Sequence, residues 1–200
     1  WAVGGGGRIV KSTNGGVTWI NQASGTGTDL RGVSFVDRNH GFAAGDSGTF
    51  LQTTNGGALW KLKSAPDIVK WTRIHFADAL TGWMLDSASG GIHYTSDGGT
   101  TWTQVGPPGG APGVSDMWFV GGTDGWVAGG SNLWHTTDGV NWTNLNNGSL
   151  SFLQGVSFPS IVTGFAVKSY FNGTGDVSEV YRTTDGGANW TSMYTIVDTY

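Results

Sequence analysis

The sequence contains no cysteine and few charged residues. Without cysteine, the chain has no disulfide framework, no thiolate metal site and no thiol nucleophile. Charged residues make up 12% of the 200 positions, about half of the ~25% share that is usual in soluble domains. The formal net charge is −4. This balance argues against a nucleic-acid partner, which would require a basic stripe.

Long apolar runs and metal-binding spacings are also missing. No run approaches the ~20 residues that a membrane helix needs, so no membrane insertion is expected. The four histidines (His40, His75, His93 and His135) show no HExxH-like spacing. Because His75 and His93 fall in separate predicted strands, ordinary packing explains them better than metal ligation. We therefore predict no metal site and no cofactor.

Glycine is abundant, with 36 residues, and much of it belongs to a phrase of eight residues that occurs five times. Asp or Asn followed by Gly favours a tight hairpin, because the Asx side chain bonds nearby backbone and Gly accepts a positive φ. The hydroxyl before it can cap the turn, and the closing Trp supplies a large apolar anchor. We predict a structural role for all five copies. Their Asx and Trp residues are Asn14 and Trp19, Asn55 and Trp60, Asp97 and Trp102, Asp138 and Trp142 (in a copy one residue shorter), and Asp185 and Trp190.

This phrase resembles the Asp-box, or BNR repeat, S-x-D-x-G-x-x-W. That repeat is found in sialidases, sortilin-type receptors, some glucan hydrolases and the photosystem II assembly factor. Three stretches, Leu30–Asp37, Gly41–Asp46 and Thr53–Gly57, are most similar to repeats of the assembly-factor type. The resemblance covers nearly the whole chain and implies a β-propeller. It is specific for architecture and says little about activity.

The spacing of the phrase supports the same fold. The motif tryptophans are separated by 41, 42, 40 and 48 residues, and a period near 40 with several strands per repeat is typical of propeller blades. Apolar residues alternate in the first strand of each predicted blade, as in Val33 and Phe35. We predict an all-β propeller with five four-stranded blades in a single domain, residues 1–200. The repeats run at about 1–29, 30–70, 71–113, 114–151 and 152–200.

The two ends of the sequence suggest how the first blade is completed. Trp1–Gly4 matches a second strand with no first strand before it, whereas Tyr194–Asp198 matches a first strand with no second strand after it. We expect the C-terminal strand to complete the first blade. The alternative is an array that continues in a longer chain, or a homo-oligomer or polymer formed by strand exchange.

The resemblance implies that the Asp-box hairpins lie on the rim opposite the face that usually binds ligands. The loops between second and third strands, and between blades, then form the working face. The segment 168–178 lengthens the last repeat, and we interpret it as a loop. Such a loop either carries the function specific to this protein or is a surface insertion that the fold tolerates. Within it, Lys168, Tyr170, Phe171 and Asp176 are candidate ligand-binding residues. The two aromatic residues are suited to stacking on a sugar or a peptide.

The sequence offers little support for a catalytic site. Sialidase chemistry in this family needs an arginine triad, an Arg-Ile-Pro segment and a Tyr/Glu pair, whereas this chain has no Arg-Ile-Pro and a single glutamate, Glu179. Glycosidic cleavage by two other acids needs carboxyl groups about 5–9.5 Å apart with different pKa values. Three loop aspartates, Asp46, Asp86 and Asp176, keep that alternative open.

Binding is the stronger hypothesis. Arg31 and Arg73, with nearby lysines, form a local positive patch on an acidic protein, and the assembly factor holds a protein partner through an arginine-rich face. We therefore expect a non-catalytic recognition or scaffold module for a protein or glycan partner. The alternatives are an assembly-factor-like holder of an immature protein and a glycoside hydrolase. The composition favours an extracellular or cell-surface location, with glycosylation candidates at Asn147 and Asn172.

Overall fold

The computed structural model describes residues 1–86, 89–106, 114–145 and 150–199. Its regular structure consists of β-strands and two short 3-10 turns, at Gly5–Gly7 and Asp46–Gly48. Contacts within the chain divide it into two compact units, Trp1–Val105 and Gly106–Tyr200. The single domain over 1–200 stays a prediction.

The described strands form five antiparallel sheets in chain order. The first sheet contains β1 Ala2–Gly4, β2 Arg8–Lys11 and β3 Ile20–Gln22; the second contains β4 Leu30–Phe35, β5 Gly41–Gly45, β6 Phe50–Thr53 and β7 Lys61–Lys63. The third contains β8 Trp71–Phe76, β9 Gly82–Asp86, β10 Ile92–Thr95 and β11 Thr103–Gly106; the fourth contains β12 Val114–Val120, β13 Asp124–Gly129, β14 Asn132–Thr136 and β15 Thr143–Asn144. The fifth contains β16 Leu153–Ser157, β17 Gly164–Phe171, β18 Gly175–Thr183 and β19 Thr191–Thr199.

The all-β propeller class is confirmed, with five sheets of consecutive antiparallel strands. Each Asp-box joins the last two strands of its sheet, as the turn chemistry predicts. The glycine after the Asx residue has a positive φ in every copy, for example 65° at Gly56 and 73° at Gly186. The repeated phrase thus sets the position of the last hairpin in each sheet.

A β-bulge occurs near the start of the first strand in the second to fifth sheets. In the second sheet the register shifts between Leu30 and Gly32, so that Arg31 is the extra residue. In the third sheet it shifts between Trp71 and Arg73. Bulges bend a strand and redirect a side chain. Here the bulges set the direction in which the side chains near Arg31 and Arg73 leave the strand.

In the second to fifth sheets, the first and second strands interlock through a phenylalanine and a glycine. A Cβ built at Gly82 would lie 2.6 Å from three ring atoms of Phe76, the residue paired with it across the strands. The pairs Phe35 and Gly41, Phe119 and Gly125, and Phe158 and Gly164 repeat this contact. Glycine is needed there because the ring occupies the volume of a side chain.

Within each unit, neighbouring sheets pack through stacked aromatic rings. Phe42 lies on Phe76 with ring centroids 3.5 Å apart, and Trp126 lies on Phe158 at 3.8 Å. The Asp-box tryptophan of the same sheet meets that phenylalanine edge-on, as Trp190 meets Phe158 at 6.0 Å. The perpendicular contact is a favourable geometry for aromatic pairs. Trp19 differs, because 48% of its surface is exposed.

The expectation that the C-terminal strand completes the first blade is wrong. Thr191–Thr199 is one continuous strand of the fifth sheet, paired with β18 from Arg182 to Gly175. The first sheet has three strands among the described residues. The physical reason is the length of β18, whose nine residues offer hydrogen-bonding partners to the whole of β19. Strand exchange between chains stays a prediction.

The interpretation of residues 168–178 as a loop is also wrong. They form the outer part of the hairpin of β17 and β18, which are paired as far as Phe171 and Asp176. The turn is confined to residues 172–174, where Asn172 Oδ1 accepts a hydrogen bond from the backbone N–H of Thr174 at 2.9 Å. The insertion lengthens two strands because its residues alternate and pair across the hairpin.

Candidate functional site

The Asp-boxes are closed turn structures. In the last copy, Thr183 Oγ1 accepts the Gly187 N–H at 3.0 Å and donates to Asp185 Oδ1 at 2.8 Å. Asp185 also accepts the backbone N–H and the side-chain amide of Asn189, which lowers its pKa from 3.8 to about 2. This carboxylate is a fixed acceptor in its own turn and is unsuited to proton transfer at neutral pH.

Asp97 follows the same pattern in the third sheet. The hydroxyl and backbone N–H of Thr101 bond its carboxylate and lower its pKa to about 2. Asn141 similarly lowers the pKa of Asp138. In the first two sheets the position is occupied by an amide, at Asn14 and Asn55, whose Oδ1 accepts the equivalent backbone N–H. The geometry of all five copies is that of a structural turn.

The strongest candidate site lies in the unit Trp1–Val105, around Arg31. Two nitrogens of this guanidinium donate to the two carboxylate oxygens of Asp46, with the Nη2 to Oδ2 distance at 2.7 Å. The hydrogen bond to Arg31 and its charge lower the pKa of Asp46. Asp29 adds a second carboxylate 3.7 Å from Arg31 Nη2. Arg31 is therefore held in one orientation, with 35% of its side chain exposed.

Local backbone structure builds this arrangement. The bulge turns Arg31 out of the strand pairing, and Asp46 begins the 3-10 turn that follows β5. The backbone N–H of Asp46 donates to the carbonyl of Asp29 at 2.9 Å. The carboxylate of Asp29 accepts the N–H of Gly6 at 2.8 Å. The two acids and the arginine are thus tied to neighbouring turns by main-chain hydrogen bonds.

Arg31 and Arg73, which the sequence analysis proposed as ligand-binding residues, line the same cleft. Its volume is about 360 Å³, and its lining includes Lys70, Asp29 and the backbone of Gly4 and Gly5. The guanidinium of Arg73 donates to the carbonyl of Thr72 at 2.9 Å. Three cationic side chains and one carboxylate line the cleft, so its charge is positive on a protein with a net charge of −4.

The loop aspartates do not form a recognisable acid pair. Asp46 is bonded to Arg31 and its pKa is lowered, whereas a general acid needs a raised value. Asp86 is 3% exposed and accepts hydrogen bonds from the backbone and hydroxyl of Ser89. Asp176 lies in the other unit, in β18, opposite Asp198 in β19. These positions are explained by turns, an ion pair and strand pairing.

Lys168 is part of an ion pair in the fifth sheet. Its ammonium lies 2.7 Å from Glu179, directly across the hairpin, and the two side chains are 12% and 14% exposed. It also lies 5.1 Å from the ring centres of Tyr170 and Tyr181. Burial opposes a raised pKa at Lys168, but the hydrogen bonds to Glu179 and Tyr181 overcome it and the pKa is raised.

The two aromatic candidates of the hairpin point to opposite faces of the sheet, because neighbouring residues in a strand alternate. Phe171 is 65% exposed. Tyr170 shares its face with Lys168 and stacks on Phe152, with ring centroids 5.8 Å apart and planes inclined by 24°. Phe152, which precedes β16, was not among the residues predicted from the sequence, because no spacing or motif singles it out.

The glycosylation candidates differ in what the structure shows. Asn172 is exposed in the hairpin turn, and its Oδ1 accepts hydrogen bonds from Thr174 and Gly175. Asn147 lies outside the described residues. Glycan attachment at either position stays a prediction.

The described part of the chain contains neither a metal-binding cluster nor a membrane-spanning helix. Across residues 1–86, 89–106, 114–145 and 150–199, no group of three or more His, Cys, Asp or Glu side chains is arranged to hold a metal ion. No described helix has the length and apolar character required to cross a membrane.

Part of the chain is similar in sequence to a known protein family. Residues 25–113 match the family model described as photosynthesis system II assembly factor YCF48. No curated protein sequence matches the chain significantly. The matched segment contains the second and third sheets with Arg31, Asp46 and Arg73.

Solved structures share the fold at low sequence identity. The structure of YCF48 bound to D1 peptide has a TM-score of 0.64 and 18% identity, and the match covers 95% of this chain and 76% of that one. YCF48 from Cyanidioschyzon merolae has a TM-score of 0.61 and 17% identity, with 96% and 79% covered.

A glycoside hydrolase shares the architecture as well. The GH74 enzyme of Niastella koreensis has a TM-score of 0.75 and 20% identity, and the match covers 92% of this chain but 34% of the enzyme. At these identities the likeness concerns the fold, and the enzyme is about three times as long as the matched region. Together, the Asp-box turns, the five sheets and the solved structures show that the chain has the fold of a BNR-repeat β-propeller, and residues 25–113 are similar to the photosystem II assembly factor family.

Proposed function

We propose that the protein is a non-catalytic recognition module that holds an acidic segment of a protein partner in the cleft lined by Arg31, Lys70 and Arg73. The observation that carries the proposal is the convergence of these three cationic side chains on one cleft of about 360 Å³. They come from two neighbouring sheets, since Arg31 lies in β4, Arg73 in β8 and Lys70 just before β8. Their residue types suit carboxylate groups.

The cleft is organised before a ligand arrives. Asp46 fixes the plane of the Arg31 guanidinium through two hydrogen bonds, so little side-chain entropy is lost when a carboxylate binds beside it. Asp29, on the lining, limits how much negative charge the cleft accepts. We infer a partner segment that carries one or two carboxylates, with a terminal carboxyl group as a suitable choice.

Two further observations support a protein partner. A propeller of the same fold, YCF48, has been solved with a peptide of D1, and the family match covers the charged residues of the cleft, Asp29, Arg31, Lys70 and Arg73. The cleft is also open and mostly polar, with two glycines in its lining. Glycine lets a bound backbone approach closely because no Cβ intervenes.

The test is binding of a short acidic peptide with a free terminal carboxyl group, measured by fluorescence anisotropy on the full chain. The double variant Arg73→Glu, Lys70→Glu should weaken binding by about tenfold or more, and added salt should weaken binding to the native chain. Arg31 is left unchanged so that its contact with Asp46 is preserved.

A matched control is Arg38→Glu, since this exposed arginine lies in the turn after β4 and does not line the cleft. It should leave affinity within about twofold. If the control and the double variant lose affinity equally, binding depends on net charge alone. Unchanged affinity in the double variant would refute the proposal.

A hydrolase function receives less support. The aspartates with shifted pKa values that the structure assigns (Asp37, Asp46, Asp78, Asp97, Asp138 and Asp185) are all shifted downwards. A glycosidase would require one acid shifted upwards. Hydrolysis of a glycan that is lost in Asp46→Asn or Asp86→Asn would overturn the non-catalytic assignment. An extracellular or cell-surface location remains a prediction from composition.

A further inference from the structure

The last strand, β19, forms a long outer edge of the fifth sheet. In the part of the chain that the structure describes, β18 is its one neighbour in the sheet. β19 has nine residues, whereas the last strands of the other four sheets have two to four. An edge strand presents a row of N–H and C=O groups to which another strand can bond, and here that row is unusually long.

The side chains of β19 are exposed on both faces of the sheet. Four of them are large and apolar, with exposed fractions of 55% at Met193, 63% at Tyr194, 45% at Ile196 and 47% at Val197. Tyr194 and Ile196 lie on one face and Val197 on the other, because neighbouring residues of a strand alternate. Burial of these side chains against a further strand would be favourable.

β19 lacks most of the features by which natural edge strands avoid pairing. Proteins protect an edge with short strands, lysine, proline or a bulge. Residues 191–199 contain no lysine and no proline, and Asp198 is their single charge, whereas β7 carries Lys61 and Lys63. One bulge occurs, at Met193, but the pairing with β18 is regular over Tyr194–Thr199. Six residues therefore form a continuous edge.

The order of polar and apolar residues in β19 is the same in both directions. From residue 191 to residue 199 it is two polar, two apolar, one polar, two apolar and two polar, with Thr195 at the centre. Antiparallel pairing with a second β19 about Thr195 places Tyr194 opposite Ile196 and Met193 opposite Val197. Pairs of an aromatic and a β-branched residue stabilise antiparallel sheets, so the strand is complementary to itself.

Other symmetric registers lose this match. The two-fold axis between two antiparallel copies must pass through a residue paired with itself, because paired side chains share a face and the faces alternate along a strand. A centre at Ile196 would place Asp198 opposite Tyr194. A centre at Tyr194 would place Ser192 opposite Ile196. Of these three registers, the one centred on Thr195 pairs apolar with apolar and polar with polar residues.

We propose that β19 is a self-association surface, at which a second copy of this chain pairs edge to edge, antiparallel and centred on Thr195. The contact is isologous and therefore closes at a dimer. Tyr194 and Ile196 of both copies form one apolar cluster on one face of the joined sheet. A second copy is the occupant because β19 itself supplies the complementary pattern, at the same length.

This surface is separate from the cleft of the proposed function. β19 belongs to the unit Gly106–Tyr200, whereas the cleft of Arg31 and Arg73 belongs to Trp1–Val105. The dimer also differs from strand exchange, because β19 stays in its own sheet and keeps its pairing with β18. Failure of acidic-peptide binding therefore leaves this inference intact, and the reverse also holds.

The first experiment is sedimentation equilibrium of the full chain between about 1 µM and about 1 mM. We expect a concentration-dependent equilibrium between monomer and dimer. Ile196→Lys should weaken the dimer by about tenfold or more, because it places two like charges in the apolar cluster. The matched control is Leu62→Lys, which adds the same charge at a 71% exposed apolar residue of the outer strand β7. It should change the dimer affinity by about twofold or less.

A second experiment tests the register with one cysteine, since the native sequence has none. Residues paired across an antiparallel sheet have Cα atoms about 4.5–5.5 Å apart, within the range that a disulfide spans. Thr195→Cys should therefore give a covalent dimer on mild oxidation with oxidised glutathione. Leu62→Cys, treated in the same way, should stay largely monomeric.

The outcomes separate this contact from others. A native chain that is monomeric at about 1 mM refutes the proposal and leaves the edge to a strand of another protein. A dimer that Ile196→Lys retains, or assemblies larger than a dimer, would place the contact elsewhere and contradict it. Thermal unfolding checks that each variant is folded. If Ile196→Lys is unfolded, the cysteine experiment decides, and equal cross-linking of Thr195→Cys and Leu62→Cys would overturn the proposal.

Discussion

The ring of Phe76 lies directly over Gly82 on the neighbouring strand, so closely that a Cβ at this glycine would be 2.6 Å from three ring atoms. The same ring is stacked on Phe42 at 3.5 Å. One phenylalanine therefore links two strands of its own sheet and connects that sheet to the preceding one within the unit Trp1–Val105. The repetition of this pair in the second to fifth sheets explains the regular Gly-aromatic step at the start of each second strand.

Replacement of this glycine should destabilise the protein. Gly82→Ala forces the Phe76 ring off the strand and disturbs its stacking, and we expect a loss of about 1–3 kcal/mol in the free energy of unfolding. Urea denaturation followed by tryptophan fluorescence measures it. Gly27→Ala is the control, because a Cβ there meets no atom within 4 Å. A Gly82→Ala variant as stable as this control would contradict the interlocking role.

The first hydroxyl of the Asp-box should matter more than its exposed neighbours. Thr95 is buried, and its Oγ1 accepts the N–H of Gly99 at 2.9 Å and donates to Asp97 at 2.8 Å. Thr95→Val keeps the shape but leaves that buried N–H without its acceptor, at a cost of about 1–3 kcal/mol. Thr100→Val, at an exposed position of the same turn, should stay within about 0.5 kcal/mol. Chemical denaturation of both variants provides the comparison.

Acid should weaken the Asp-boxes that carry aspartate. Hydrogen bonds from Thr101 and Asn189 lower the pKa values of Asp97 and Asp185 from 3.8 to about 2. The stabilisation is present above the unfolded value and is lost as the pH falls through the folded value. Stability should therefore decrease between about pH 4 and pH 2. The double variant Asp97→Asn, Asp185→Asn, which copies the natural amides at Asn14 and Asn55, should show a shallower decrease in denaturation measured across this range.

Burial of His75 should make the stability of the protein depend on pH in a second, higher range. Burial lowers its pKa from 6.5 to about 4, so the unfolded chain binds a proton that the folded chain excludes over this interval. Stability must then fall as the pH decreases from about 6.5 to about 4. His75→Gln should flatten this part of the profile. If the native and variant proteins show equal slopes there, His75 is accessible to protons in the folded state.

The ion pair of the fifth sheet can be tested by removing one partner or both. Lys168→Met leaves the mostly buried Glu179 carboxylate without its cation, which we expect to cost about 1–3 kcal/mol. The double variant Lys168→Met, Glu179→Met should recover much of that loss, because paired apolar side chains replace a pair of desolvated charges. A double-mutant cycle from denaturation curves gives the coupling. A double variant no more stable than the single one would show that the pair is irreplaceable at this position.

The repeat and its turns could be predicted from sequence because their causes are local. Asn55, Gly56 and Thr53 lie within four residues of one another, and their hydrogen bonds form inside one hairpin. The spacing of these hairpins then fixes the number of sheets. The prediction failed at residues 168–178, where an insertion in a loop and an extension of two strands give the same change in spacing.

The candidate sites depended on contacts between distant residues. The sequence singled out Arg31 and Asp46, but as a positive patch and a possible acid, and their pairing became visible only in the structure. Phe152 carried no signal, since its contact is with a ring 18 positions away in the chain. Such relationships arise from strand register, which no single repeat specifies.

By itself, the sequence determined the all-β class, the five Asp-box hairpins and the alternation of buried residues, because turn chemistry and strand periodicity act over a few residues. Tertiary structure decided which strand the C-terminal segment joins, which charges neutralise one another and which aromatic rings remain exposed. Those outcomes depend on hydrogen bonds and packing between elements that are far apart in the chain. Alternative pairings of these elements compete, and one of them forms only when the sheets assemble.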